Sequence, residues 1–294
     1  HHPFALFELG ASAVGDVGYL AAMVRPIVSA LLNARTAHLE GFGSIDGVIQ
    51  GKGEIIDYTD PNGTVVLNSD EPAFDRWLQR AGDRKVISIG RKKANVCWSP
   101  KSAQRVSLQF DSGQITVCLP TLGYHFMENA AAAAAMALAA GATADEIHLG
   151  LETAVIEAGR MTPRRLGNCL LVDDTYNANP NSTRAAIDWL SKQGGMKILA
   201  VGGLSELGDA SYSEMIQLGA YAKEKGIDRL IATGLADPIA DGFGQDAVYV
   251  RSHDEVSDYL QGFISNADVI LVKGSRSAQM DRVIDALILK QGRH

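Results

Sequence analysis

The chain has 294 residues, 46% hydrophobic and 21% charged, a globular balance with room for about two domains. Its formal net charge of -7 argues against non-specific nucleic-acid binding, and no apolar run approaches the roughly 18 residues of a membrane span. Three cysteines without a CxxC pair argue against a disulfide framework or zinc site and suit a reducing cytoplasm.

The sequence opens on two histidines, without a methionine. Residues 4–9 (FALFEL) read as a buried strand, so the first domain is expected to start in mid-sheet, as a truncated one would. Helical spacing follows over 15–24, a strand over 26–33, a helix over 44–58 and a strand over 63–68. A helix over 71–81 and a strand over 85–90 continue the alternation, which implies a parallel sheet with right-handed crossovers. Residues 95–120 break the rhythm. RVSLQF and QITVCL flank Asp111-Ser112-Gly113 and read as a β-hairpin. A helix over 125–141 should end at Gly141, and another should start at Thr143 as N-cap.

From about residue 159 the alternation resumes. Strands are expected at 169–174, 197–203, 229–234, 247–251 and 269–275, with helices at 182–193, 212–226, 254–264 and 278–290. The fold class is therefore α/β. Residues 1–158 hold a mostly parallel sheet plus hairpin, and residues 159–294 a Rossmann-like doubly wound domain. The second domain's strands end in Asp-Asp, Gly-Gly, Thr-Gly and Lys-Gly-Ser, ends that should share one edge of the sheet, where ligands of open α/β sheets sit.

The candidate chemistry lies at such ends. Glu8 could hold Mg²⁺ beside phosphates, or simply end an exposed strand. Asn33, His38 and Glu40 follow the second strand, and His38 could ligate metal or move a proton. Lys52 sits between two glycines inside a helix, each costing about 1 kcal/mol against alanine, which suggests a close approach there. His125 and Asn129 share a helix face, and Asn129 could read an adenine edge. Arg160 falls at the domain junction. Asp173 and Asp174 end an apolar run and precede Thr175, Tyr176, Asn177 and Asn179; a plain polar loop closed by an Asn-Pro turn is the competing reading. Lys273, Ser275 and Arg276 stand between a strand and a helix N-terminus, suited to an anion. No GxxxxGK[ST] occurs, and no GxGxxG follows a strand.

Five segments in order, ELGAS, AHLEGFGS, KGEI, DDTYNANP and LVKGSRS, resemble the Mur ligase family over residues 4–289. That family has a UDP-sugar domain, a central ATPase domain and a C-terminal Rossmann-like domain. The resemblance covers the later part of the central domain and all of the last one. It implies an ATP-dependent amide-bond ligase that works through an acyl phosphate in peptidoglycan precursor synthesis. ATP and Mg²⁺ would be cofactors, UDP-N-acetylmuramoyl-tripeptide and D-Ala-D-Ala the substrates, the cytoplasm the location, and the missing N-terminal part of the enzyme a partner. Glu8 and His38 would meet Mg²⁺, and Lys52 would be the lysine carbamylated in several relatives, in a catalytic set with His38 and Asn33. Asn129, Arg160, Asp173, Asp174 and Tyr176 would serve the nucleotide. Asn177, Asn179, Lys273, Ser275 and Arg276 would serve the peptide substrates. Tyr124, Phe126 and Gly203 depart from the family's Arg, Asn and Asp. A non-catalytic binding module or a sibling amino-acid ligase are the alternatives.

Overall fold

The computed structural model describes residues 2–34, 39–205 and 211–291. The chain divides into two compact units, His1–Pro120 with Tyr124–Ala154, and Val155–His294 with Thr121–Gly123. The first unit runs α1 (Asp16–Val24), β1 (Val28–Leu31), α2 (Leu39–Phe42), α3 (Ile45–Asp57), β2 (Thr64–Asn68), α4 (Phe74–Ala81) and β3 (Lys85–Gly90). It continues through β4 (Val96–Pro100), β5 (Arg105–Phe110), β6 (Gly113–Cys118), α5 (Tyr124–Ala139) and α6 (Ala144–Glu152). Its sheet has the order β1-β2-β3-β4-β5-β6. The pairs from β1 to β4 are parallel, and β4-β5 and β5-β6 are antiparallel.

All five residues of β2 are buried, as expected of a parallel strand covered on both faces. Alternate side chains serve opposite layers. Val65 and Leu67 join Phe42, Val48, Ile56 and Trp77, while Val66 joins Ile87, Ile89, Met127 and the alanines of α5. Residues 130–135 are all alanine, the best helix former, and five of them are buried in that second cluster. Helix starts follow local chemistry. Ser44 Oγ accepts from Gly47 N–H at 3.1 Å to cap α3, and Thr143 with Glu146 forms a capping box on α6.

Two expectations fail in this unit. Residues 4–9 are not a strand, and Phe4, Leu6 and Phe7 are exposed; a strand requires a neighbour for its backbone groups, and this segment pairs with none of the described strands. Residues 96–100, read as a break, form β4, which links the hairpin to the parallel part.

The second unit runs β7 (Thr162–Leu166), β8 (Cys169–Asp174), α7 (Pro180–Ser191), β9 (Lys197–Val201), α8 (Ser211–Glu224) and β10 (Arg229–Thr233). Then come α9 (Asp237–Phe243), β11 (Ala247–Val250), α10 (His253–Gln261), β12 (Val269–Lys273) and α11 (Asp281–Gln291). The sheet order is β11-β10-β9-β12-β8-β7, parallel except for the β7-β8 edge. On one face Leu171, Ile198, Ile231 and Ile270 pack with Val256 and Leu260 of α10 and with Val283 and Leu287 of α11. Helices α7 and α8 pack together, and α7 contacts β9 and β12. Sequence reading missed β7 and α9. Pro163 and two arginines hide β7, and an edge strand tolerates them. Helix α9 is short and starts at Asp237-Pro238; it lies so close to α8 that a Cβ on Gly219 would stand 2.0 Å from Ile239 O.

Among the described residues no helix is long and apolar enough to cross a membrane.

Candidate functional site

Strand β12 lies between β8 and β9, with Lys273 in register with Asp174 on one side and Val201 on the other. The turns after these three strands converge at their carboxyl ends, the crevice position of open α/β sheets. They form a cleft of about 530 Å³ lined by Tyr176 and Asn177 after β8, Ser205 after β9, Ser275, Arg276 and Ser277 after β12, and Glu157 before β7.

The two aspartates do different work. Asp173 is buried and its Oδ1 accepts from Thr175 N–H at 3.3 Å and Thr175 Oγ1 at 2.7 Å. Burial raises its pKa above the ordinary carboxylate value, against the opposing pull of the Thr175 hydrogen bonds and the Arg164 charge. Asp174 Oδ2 accepts from Lys273 Nζ at 2.7 Å, and its Oδ1 accepts from Met161 N–H at 3.3 Å. Lys273 is 1% exposed and also donates to Asn177 O at 3.0 Å. The sequence reading sent Asp174 and Lys273 to different ligands; the structure pairs them with each other.

Tyr176 is half-buried. Its N–H donates to Gly159 O at 2.9 Å, and the Arg160 guanidinium lies 4.0 Å from its ring centroid. Arg160 also approaches Glu157 at 3.6 Å. Gly159 has φ +80°, and a Cβ there would stand 2.7 Å from Tyr176 N, so only glycine suits this turn. Asn177 Oδ1 accepts from Ala178 N–H at 2.9 Å and Ser205 Oγ at 3.1 Å. Asn179 is the N-cap of α7: its Oδ1 accepts from Ser182 N–H at 2.9 Å and its N–H donates to Ser182 Oγ at 3.1 Å. The expected Asn-Pro turn is thus a capping box with Pro180 at the start of the helix.

Ser275 is buried, with its N–H donating to Gly203 O at 2.9 Å and its Oγ 3.1 Å from Ser277 Oγ. Arg276 is exposed at the cleft. Met280 packs on the glycines that end two strands: an added Cβ would meet its Cγ at 2.7 Å from Gly202 and 2.5 Å from Gly274.

In the first unit Lys52 is half-buried on α3 and its Nζ donates to Asn33 O at 3.1 Å. Asn33 therefore contributes a backbone carbonyl. The glycines beside Lys52 are explained from within the chain. A Cβ on Gly51 would stand 2.7 Å from Phe42 Cε1, and one on Gly53 would stand 2.6 Å from an Arg80 guanidinium nitrogen and 3.3 Å from Trp77. Glu8 and Asn129 are exposed. Beside Asn129, Glu128 accepts a hydrogen bond from Asn68 Nδ2 at the end of β2. His38 lies outside the described residues. Among the described residues no group of three or more His, Cys, Asp or Glu could hold a metal ion. At the divergent positions, Tyr124 is exposed and Phe126 packs on the core with its ring centroid 4.4 Å from that of His125.

The structure thus gathers Asp173, Asp174, Tyr176, Asn177, Lys273, Ser275 and Arg276 at one sheet edge. Sequence reading missed Glu157, Ser205 and Ser277. Only Ser277 carried a local signal, standing two residues beyond Ser275 in the same turn.

Two family models match the chain: the Mur ligase middle domain over residues 1–137 and the Mur ligase glutamate ligase domain over residues 159–276. The chain belongs to the Mur ligase family. Among its relatives, the Escherichia coli UDP-N-acetylmuramoyl-tripeptide–D-alanyl-D-alanine ligase is 37% identical over 97% of this chain and 65% of the relative. MurF from Acinetobacter baumannii has a solved structure that superposes with a TM-score of 0.85 at 32% identity, over 98% of this chain and 65% of that one. The Thermotoga maritima MurF structure, a complex with ADP, gives a TM-score of 0.83 at 26% identity, over 97% of this chain and 67% of that one. The chain spans about two thirds of the length of these relatives.

Proposed function

We propose that the chain forms the middle and C-terminal parts of an ATP-dependent ligase that joins D-Ala-D-Ala to UDP-N-acetylmuramoyl-tripeptide in peptidoglycan precursor synthesis. The carrying observation is the cleft at the β8, β9 and β12 ends, in a chain whose similar relatives bear that ligase's name. Exposed Arg276 supplies a cation for the dipeptide carboxylate, and Asn177, Ser205, Ser275 and Ser277 offer neutral hydrogen-bonding groups beside it. Tyr176, Arg160 and Asn129 would hold ATP; the ADP complex of the Thermotoga maritima relative supports a nucleotide. Asp173 would hold the turn beneath, and Asp174 and Asn179 would shape its two ends. ATP supplies the phosphoryl group that activates the tripeptide carboxylate. Glu8 and His38 are the residues that would hold Mg²⁺, and Lys52 the one that would carry a carbamate.

This chain's own contribution is positioning. The cleft would bring the dipeptide amine to the activated carboxyl and exclude competing water, the usual source of rate when side chains make no bonds. The test is an assay of the intact protein with ATP, Mg²⁺, the UDP-tripeptide and D-Ala-D-Ala, read by product mass and phosphate release. One phosphate per amide is expected, and Arg276→Ala should raise the KM for D-Ala-D-Ala about tenfold or more, the scale of one charge-assisted hydrogen bond. Turnover with a single amino acid in place of the dipeptide would make it a sibling ligase. No turnover with any acceptor would leave a binding module.

A further inference from the structure

Lys273 and Asp173 are the only charged side chains buried among the described residues. Asp173 belongs to its own turn. Lys273 does not line the cleft, although Ser275 and Arg276 just beyond it do. Its ammonium reaches sideways from β12 to the end of β8 and meets Asp174 Oδ2 at 2.7 Å and Asn177 O at 3.0 Å. Asn177 in turn accepts from Ser205 Oγ through its side chain. The turn after β12 has anchors of its own, in the Ser275 N–H bond to Gly203 O and the packing of Met280 on Gly274.

We infer that Lys273 is a positioning residue: a buried cross-tie that holds the Asp174–Asn177 turn against the Ser275–Arg276 turn and so sets the width of the cleft. A lysine that bound the dipeptide would present its ammonium to the cleft. This one spends hydrogen bonds on a carboxylate and a carbonyl of the opposite wall. A buried ammonium needs such partners, and here the partners also fix the backbone from which Tyr176 and Asn177 project. The role in turnover rests on the proposed function; the cross-tie itself does not.

The test compares wild type with Lys273→Met in the intact protein, first by amide hydrogen exchange without ligand. Exchange at Asn177 and Ala178 should quicken at least about tenfold while β9 and β10 keep their protection. In turnover the KM for D-Ala-D-Ala should rise about tenfold with kcat within about threefold, and Lys273→Arg should recover part of it. Should Lys273→Met fold poorly through its stranded carboxylate, the pair Lys273→Met with Asp174→Asn removes both charges. It should restore stability yet keep the loosened turn, because Asn177 O still lacks its donor. Unchanged exchange with a raised KM would show direct contact with the substrate and overturn the cross-tie. Uniform acceleration through every strand in both variants, or a loosened turn with unchanged KM, would overturn the positioning role. Exchange is read without ligand, so it judges the cross-tie even where wild type shows no turnover, a result that sinks the function alone.

Discussion

Asp173 ties the titration of one carboxylate to the stability of the second unit. Its folded pKa lies above its ordinary value because burial penalises the charge. In the window between the two values the native state holds a proton that the unfolded chain has lost. Stability therefore falls as pH rises through that window and stays lower above it. Asp173→Asn removes the charge and keeps an oxygen for Thr175. Thermal melts from acid to neutral pH should show a smaller decline and, at neutral pH, a melting temperature about 2–4 °C higher; a lower one would mean the carboxylate is needed. Gly51 poses the opposite case. Helix propensity alone favours alanine there by about 1 kcal/mol, but the new Cβ would press on Phe42, which is buried, and on Val14. Overpacking of this kind costs about 1–3 kcal/mol, so Gly51→Ala should lower the denaturant midpoint with an unchanged slope.

The start of α7 separates a structural from a binding role for Asn179. Loss of an N-cap costs about 1 kcal/mol, so Asn179→Ala should destabilise the unit by that amount, and Asn179→Ser should keep most of the cap. In the proposed reaction, a KM for D-Ala-D-Ala that stays at the wild-type value in Asn179→Ser fits a cap; a large rise would make the amide a substrate group. Caps of this kind were the most legible elements in the sequence. Ser44, Thr143 and Gly141 each carry their reason within a few residues, and β2 announces itself by its Val65-Val66-Leu67 run. Strands β4 and β7 were not legible, because each is short and takes its place from a neighbouring strand rather than from its own pattern. Similarly, parallel strands share a carboxyl edge, so the gathering of the polar strand ends could be read in advance. The Lys273–Asp174 pair could not, since it depends on β12 being the neighbour of β8, and no local spacing states that order. For the same reason Ser205 was missed: it reaches the cleft only because β9 flanks β12 on the other side.

Each unit has its own core, and the second can be tested alone. A fragment of residues 155–294 should melt in one cooperative step with a heat-capacity change of about 1.8 kcal/mol/K. It would lack Thr121, whose Oγ1 donates to Arg160 O at 2.6 Å, and Leu122, whose N–H donates to Met161 O at 3.2 Å. Restoring a Thr121–Gly123 peptide in trans, or by fusion, should raise the melting temperature; no change would mean these contacts add nothing. The strand order carries a consequence for synthesis. Strand β12 pairs with both β8 and β9, yet it leaves the ribosome after every other strand of that sheet. Until residues 269–273 emerge, β8 with β7 and β9 with β10 and β11 remain separate half-sheets, each with an unpaired inner edge. Such edges are where nascent chains mispair, so the sheet of this unit closes, and its cleft first exists, only once β12 has been made.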